Sequence, residues 1–240
     1  MTVSPYQESE KNKKQQVEHM FDQIAPKYDF LNHFLSMGVD KLWRRKAVRM
    51  LNAHGPSRIL DVATGTGDFA VESAKINPSE IIGFDLSEQM IRVGKEKVKR
   101  LRLDHLIHFQ RGDSEQMPFP DAGFDAITVA FGVRNFENLE KGLHEFHRVL
   151  KPGGVAMILE FSRPRVFPFK QLYFLYFRHI LPRIGGMIAK DTSAYNYLPA
   201  SVMAFPDGND FLSILSRTGF SQVRQKRLTL GIATIYEAVK

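Results

Sequence analysis

Residues 58–70 read RILDVATGTGDFA: an apolar strand pattern closing on an acid at Asp61, a turn with glycines at Gly65 and Gly67, and a helix start. No other stretch restricts the fold so tightly. In an open α/β sheet the first strand-to-helix turn lies at the carboxyl end of the strands, where ligands bind, and glycine lets the backbone approach them closely. The turn therefore predicts a small, polar, nucleoside-bearing ligand.

The rest of the chain repeats that texture. Short apolar runs at 58–63, 81–86, 106–111, 124–130 and 155–161 alternate with charged segments that fit helices near 67–76, 87–101 and 136–151. Strands alternating with helices imply a parallel, doubly wound sheet. The stop signal KPGG at 151–154 ends the last of those helices, and runs at 222–228 and 232–239 around Gly231 read as an antiparallel hairpin.

Two regions break the rhythm. Residues 16–54 carry apolar positions at helical spacing, with breaks near Pro26 and Gly38, and predict a helical arm behind a frayed tail, 1–15. Residues 163–205, rich in aromatics, are far too long for a strand–helix connection of about 2–6 residues and read as a lid. The expected organisation is thus tail 1–15, arm 16–54, α/β core 55–162, lid 163–205, and a C-terminal helix and hairpin, 206–240.

Composition removes several chemistries. The chain has no cysteine, so disulfides, thiolate metal sites and cysteine nucleophiles are excluded; no metal site is expected. The polar start MTVSPYQESEKNKKQQ lacks the apolar core of a secretory signal, and no uncharged run approaches the roughly 18 residues of a membrane span, so a cytoplasmic location is expected. A net charge of +7 suits an anionic partner, nucleic acid or lipid headgroups, but the basic residues are dispersed and choose neither.

The glycine turn alone admits a dinucleotide, since Ala70 is an accepted third position of that fingerprint. Asp85 stands 20 positions after Gly65, where an acid accepts hydrogen bonds from ribose hydroxyls of either ligand class. Asp61, four residues before Gly65, would repel a pyrophosphate and suits a cationic ligand such as S-adenosylmethionine. Asp113 and Ser114 offer a carboxylate and a hydroxyl to an adenine amino group, although an acid at a strand end is often only a cap.

The ordered set D-x-x-x-G-x-G, FD, GD with MPF, FDAI and LKPGG over 56–160 resembles the class I S-adenosylmethionine-dependent methyltransferases. That resemblance implies a Rossmann-like seven-stranded sheet, completed by the C-terminal hairpin, and cofactor contacts from Asp61, Gly65, Thr66, Gly67, Asp85, Asp113 and Ser114. The peptides YDFLNHFLSMGVDKLWRR (28–45), TGTGDF (64–69), FGVRNF (131–136) and AYNYLPASVMAFPDG (194–208) resemble, nearly end to end, the C-methyltransferase family of menaquinone and ubiquinone biosynthesis. Leu31 and Ala130 depart from its commonest residues, and Ala130 removes a hydroxyl from that position.

The resemblance implies methylation of a ring carbon of demethylmenaquinol, or alternatively of a polyprenyl-benzoquinol. Such a carbon attacks well only once a ring hydroxyl loses its proton, so a group that stabilises the oxyanion is needed. Arg134 is expected to do so, with Asn135 orienting the ring and Asp113 helping to take up the proton. Tyr28, Asn32, Tyr195 and Tyr197 are substrate candidates, the last two alternating along an extended lid segment.

Plainer roles stand beside these. Arg134 would pair with Glu137, Asn135 would cap a helix, and His33 would only pack. Tyr173, Phe174, Tyr176 and Phe177 among Lys170, Arg178 and Arg183 suggest a lid touching a membrane surface peripherally. Nucleic acid is not expected as a partner, because the cysteine and the N-P-P-Y-type loop of its methyltransferases are both missing. A homo-oligomer is left open.

Overall fold

The computed structural model describes residues 3–6, 9–175 and 193–240. Seven strands form one sheet: β1 (Arg58–Val62), β2 (Glu80–Asp85), β3 (Ile107–Arg111), β4 (Phe124–Ala130), β5 (Leu150–Phe161), β6 (Gln222–Leu228) and β7 (Ala233–Val239). Their order is β3-β2-β1-β4-β5-β7-β6; β1 to β5 pair in parallel, and β7 lies antiparallel between β5 and β6. The hairpin completes the sheet as expected. Burial follows position: β7 is buried at six successive residues, whereas edge strand β6 alternates between exposed and half-buried.

Helices cover both faces. α3 (Val39–Asn52), α4 (Asp68–Ser73) and α5 (Glu88–Arg100) flank one, where Trp43, Leu51, Phe69 and Val98 pack on Ile59, Ile81, Val155 and Ile235. The opposite core joins Phe146 of α6 (Leu139–Val149) and Phe211 of α9 (Asn209–Arg217) to Leu60, Phe84, Phe124 and Tyr236. α6 ends at Val149, and KPGG lies not in a helix-terminating loop but inside β5, which starts at Leu150.

Ahead of the sheet, α1 (Lys13–Ile24), a 3₁₀ turn at Ala25–Lys27 and α2 (Tyr28–Leu35) lead into α3. The helical arm begins inside the stretch expected to fray: Asn12 caps α1 by accepting a hydrogen bond from the Gln15 N–H, 2.9 Å away. In the lid region α7 (Phe169–Leu175) and α8 (Ser193–Ala204) are described, while Tyr176, Phe177, Arg178 and Arg183 lie outside the described residues. α8 replaces the expected extended segment. Its buried positions, Tyr197, Ser201 and Val202, recur at four and five residues rather than two.

Candidate active site

The strand order reverses between β1 and β4, and there a cleft open to solvent lies at their carboxyl ends. Its walls include Ala63 and Gly65 after β1, Asp85 ending β2, Asp113 and Ser114 after β3, and Ala130 to Gly132 from the end of β4. Gly65 and Gly67 hold φ of 57° and 83°, and a Cβ on Gly67 would stand 2.9 Å from the Phe109 ring. The turn is thus fixed from below.

Asp61 does that fixing rather than meeting a ligand. It is 1% exposed and absent from the cleft wall; its carboxylate accepts hydrogen bonds from the hydroxyls of Thr64 and Thr128 and from the Ala70 N–H at 3.1 Å. Burial pushes its carboxyl up to about 6. The Thr66 hydroxyl likewise turns away, donating to Asp29 while Lys97 donates to it. Asp85 lines the cleft, and its two oxygens accept from the N–H groups of Gly65 (2.7 Å) and Ser87 (2.9 Å). Those bonds aim the carboxylate along the cleft wall, and burial raises its pKa.

α1 closes the opposite side with Lys14, Val17, Glu18 and Phe21. Lys14 donates to Asp113 at 2.6 Å, and the neighbouring Lys13 donates to the carbonyls of Arg134 (3.2 Å) and Phe136 (2.6 Å). The lining carries five carboxylates, Glu18, Asp85, Asp113, Glu115 and Glu137, against one lysine. Such a wall repels a pyrophosphate and attracts a ligand bearing a sulfonium and an ammonium. The electrostatic argument that sequence placed on Asp61 belongs to these residues.

The 3₁₀ turn Val133–Asn135 follows β4 at the edge of the cleft. Asn135 lines the cleft, and its Oδ1 is buried without a partner among the described residues. It caps nothing; Asn138 caps α6. Arg134 points the other way, where its Nη1 donates to Glu160 at 2.8 Å and to the Phe131 carbonyl, its Nε to the Ser201 hydroxyl at 3.3 Å, and its guanidinium lies over the Phe161 ring. Glu160, fully buried, takes the place expected for Glu137. Burial pushes the Glu160 carboxyl up, and Arg134 offsets part of this. None of these contacts uses Nη2 of Arg134.

Two tyrosines approach this guanidinium. Tyr197 of α8 is 4% exposed and its hydroxyl is buried without a hydrogen bond among the described residues; burial pushes it up to about 12, and Arg134 draws it back. Tyr28 lines the cleft, is hydrogen-bonded to Asn32 and lies within the field of Arg134. Buried polar atoms are nearly always satisfied, so the orphaned Oδ1 of Asn135 on the cleft wall is open to a polar ligand there. The side chain of Tyr195 lies outside the described residues. His33 neither lines the cleft nor merely packs: its ring contacts Asp40 at 2.9 Å and Asp68 at 3.6 Å in a network with Arg44.

Lys13, Lys14, Glu115 and Glu160 escaped the sequence reading. Asn12, with its capping side chain, was the local signal for the lysines; Glu160, inside an apolar run of β5, signalled itself only as an acid where none belongs.

The family model described as the ubiE/COQ5 methyltransferase family matches residues 9–240. A demethylmenaquinone methyltransferase of Bacteroides fragilis is 52% identical over 239 residues, 99% of this chain and 97% of its own. A ubiquinone/menaquinone biosynthesis C-methyltransferase of Geotalea daltonii is 49% identical over 230 residues, covering 95% and 97%. Among solved structures, a SAM-dependent methyltransferase of Thermotoga maritima, described as a possible histamine N-methyltransferase, shares the fold with TM-score 0.64 at 20% identity, covering 92% of this chain and 99% of its own.

Proposed function

The chain belongs to the ubiE/COQ5 methyltransferase family, and from that premise we propose that it methylates a ring carbon of demethylmenaquinol, giving menaquinol in the last step of menaquinone biosynthesis. One observation carries the reading. Consecutive residues of the turn after β4 put Asn135, with an unpartnered Oδ1, on the cleft wall beside Arg134, which Glu160 anchors and whose charge reaches the buried Tyr197 hydroxyl. The name borne by the Geotalea relative supports a benzoquinol as the second acceptor.

S-adenosylmethionine, the methyl donor, presents its methyl group as an electrophilic sulfonium. Asp85, Gly65, Asp113 and Ser114 hold it on the acidic wall, with Asp61, Thr66 and Gly67 shaping the turn beneath. Arg134 stabilises the ring oxyanion through the nitrogen its fixed contacts leave over; Asn135, Tyr28, Asn32 and Tyr197 orient the quinol. Asp113 takes up the phenolic proton through water. The acceptor's prenyl tail brings the protein into peripheral contact with a membrane from the cytoplasmic side, and no helix among the described residues is long and apolar enough to cross one. The proposed division is tail, arm, core, lid and C-terminal helix with hairpin, and α1 starting at Lys13 supports an arm that begins ahead of residue 16.

The test is transfer of labelled methyl from S-adenosylmethionine to detergent-dispersed demethylmenaquinone with and without dithionite. Label should enter the lipid extract only under reduction, and Arg134→Ala should lower kcat by about 10²- to 10³-fold, as loss of an oxyanion donor does. Label independent of reduction would exclude the quinol as acceptor.

A further inference from the structure

The turn between β6 and β7 is built against its own backbone preference. Thr229 and Leu230 hold φ of 44° and 56°, a left-handed conformation that glycine or asparagine adopts far more readily, and Leu230 is 55% exposed there. The tip is not loose: Trp43 of α3 donates from its indole to the Thr229 hydroxyl at 2.7 Å. Strain retained at a firmly anchored tip asks what the presented leucine is for.

Its surroundings answer. Leu42, next to Trp43, is 58% exposed. Pro164 backs the turn so closely that a Cβ on Gly231 would meet its Cα at 3.5 Å; two and three residues on, Val166 and Phe167 are 60% and 76% exposed. The β6–β7 turn and the segment after β5 lie at the carboxyl end of the sheet, the end that also carries the cleft. An aromatic wall joins them to it: Phe131 of the cleft stacks on Phe161 at 4.4 Å, and Trp43 touches both rings.

One turn below Leu42 on α3, Lys46 lies against Lys226 of β6, and this neighbour lowers its pKa. Among the described residues no carboxylate pairs with either ammonium. Two like charges held together at the border of an exposed apolar face fit an anionic surface whose phosphates would relieve the repulsion.

We infer that Leu42, Val166, Phe167 and Leu230, with Lys46 and Lys226 beside them, form a docking face for an anionic phospholipid bilayer. It rests on the reading above only in supplying the purpose, delivery of a lipid-dissolved acceptor along the Trp43–Phe161–Phe131 wall. Of the lid residues expected to touch a membrane, Tyr173 is 5% exposed, and the side chains of Phe174, Tyr176 and Phe177 lie outside the described residues.

The experiment is co-sedimentation of the full chain with phosphatidylcholine vesicles, with and without phosphatidylglycerol, alongside methylation of a short-tailed quinol in solution. The protein should bind the anionic vesicles and release at high salt. Lys46→Glu with Lys226→Glu should weaken binding at least tenfold, since each basic group near the surface is worth about fivefold. Leu230→Asn, a residue suited to the left-handed region, should keep or raise the melting temperature while lowering vesicle binding. Both variants should methylate the short-tailed quinol normally and lose activity on vesicle-embedded substrate. Unchanged vesicle binding in either variant overturns the inference. So does a concentration-dependent dimer that Leu230→Asn dissolves, without lipid binding, because the face would then meet a second copy. Vesicle binding that responds as expected while no quinol accepts a methyl group would instead count against the acceptor alone.

Discussion

At the scale of single residues, burial decides which acids act on ligand and which on the fold. Asp61 is sealed beneath the glycine turn with its carboxyl pushed up to about 6, above its ordinary 3.8. A carboxyl whose folded pKa is raised binds its proton more tightly in the native state, so stability falls as pH rises from about 4 to about 6. Asp61→Asn removes that penalty. Its melting temperature, followed across this window, should gain steadily on the wild type, and a constant difference would show that Asp61 is not the group titrating. Glu160 has a different task. It anchors Arg134 from one side, so Glu160→Gln keeps the volume but frees the guanidinium to move. Misplacement of about 1 Å costs roughly 10²-fold in rate, so kcat should drop on that order while affinity for S-adenosylmethionine is kept; loss of both together would mean a folding defect.

At the scale of elements, α1 is the piece that turns an open α/β edge into an enclosed site. Lys13 crosses from it to the carbonyls of Arg134 and Phe136, and burial lowers its pKa. A donor withdrawn from water and satisfied by two carbonyls ties the arm to the turn that carries Arg134 and Asn135. Lys13→Met, matched in length but unable to donate, should leave two part-buried carbonyls short of a partner and loosen α1. The expected result is a rise of about tenfold in the KM for S-adenosylmethionine, equivalent to about 1.4 kcal/mol, with faster hydrogen exchange along 13–24. A changed kcat at constant KM would place Lys13 in the chemistry instead. α3 works from the other face. Arg44 on it is 7% exposed between Asp40 and Asp68, so the arm is pinned near the glycine turn by charges that cannot separate without leaving one unpaired.

At the scale of the molecule, a ligand that binds in the cleft couples arm, sheet and turn, and should stabilise all of them together. S-adenosylmethionine at about 100 times its Kd should add about 2.7 kcal/mol, or roughly 5 °C in Tm for a chain of this length; NADH should add nothing, because the cleft wall is acidic. A shift with NADH would overturn the reading of that wall. The alternation of strands and helices and the place of the glycine turn follow from local periodicity, which is why 58–70, the alternating runs and the C-terminal hairpin could be read directly, whereas the strand order is set by contacts between distant segments. Arg134 and Asn135 were legible as a turn after a strand end; their opposite directions were not, because successive residues of a 3₁₀ turn diverge and only the packing around them decides which faces the ligand. Asp61 and Asp85 look alike in sequence, each an acid at the end of a strand. The tertiary structure separates them: three donors converge on Asp61 below the turn, while Asp85 is left on the cleft wall. Glu160 and the lysines of α1 needed the fold outright, since their partners lie 26 to 123 residues away along the chain. Sequence alone determined the alternation of strands and helices, the glycine turn and, through its motifs, the family, since those are written in short-range order. What encloses the site and which charge answers which depends on contacts between distant segments, and only the folded chain decides them.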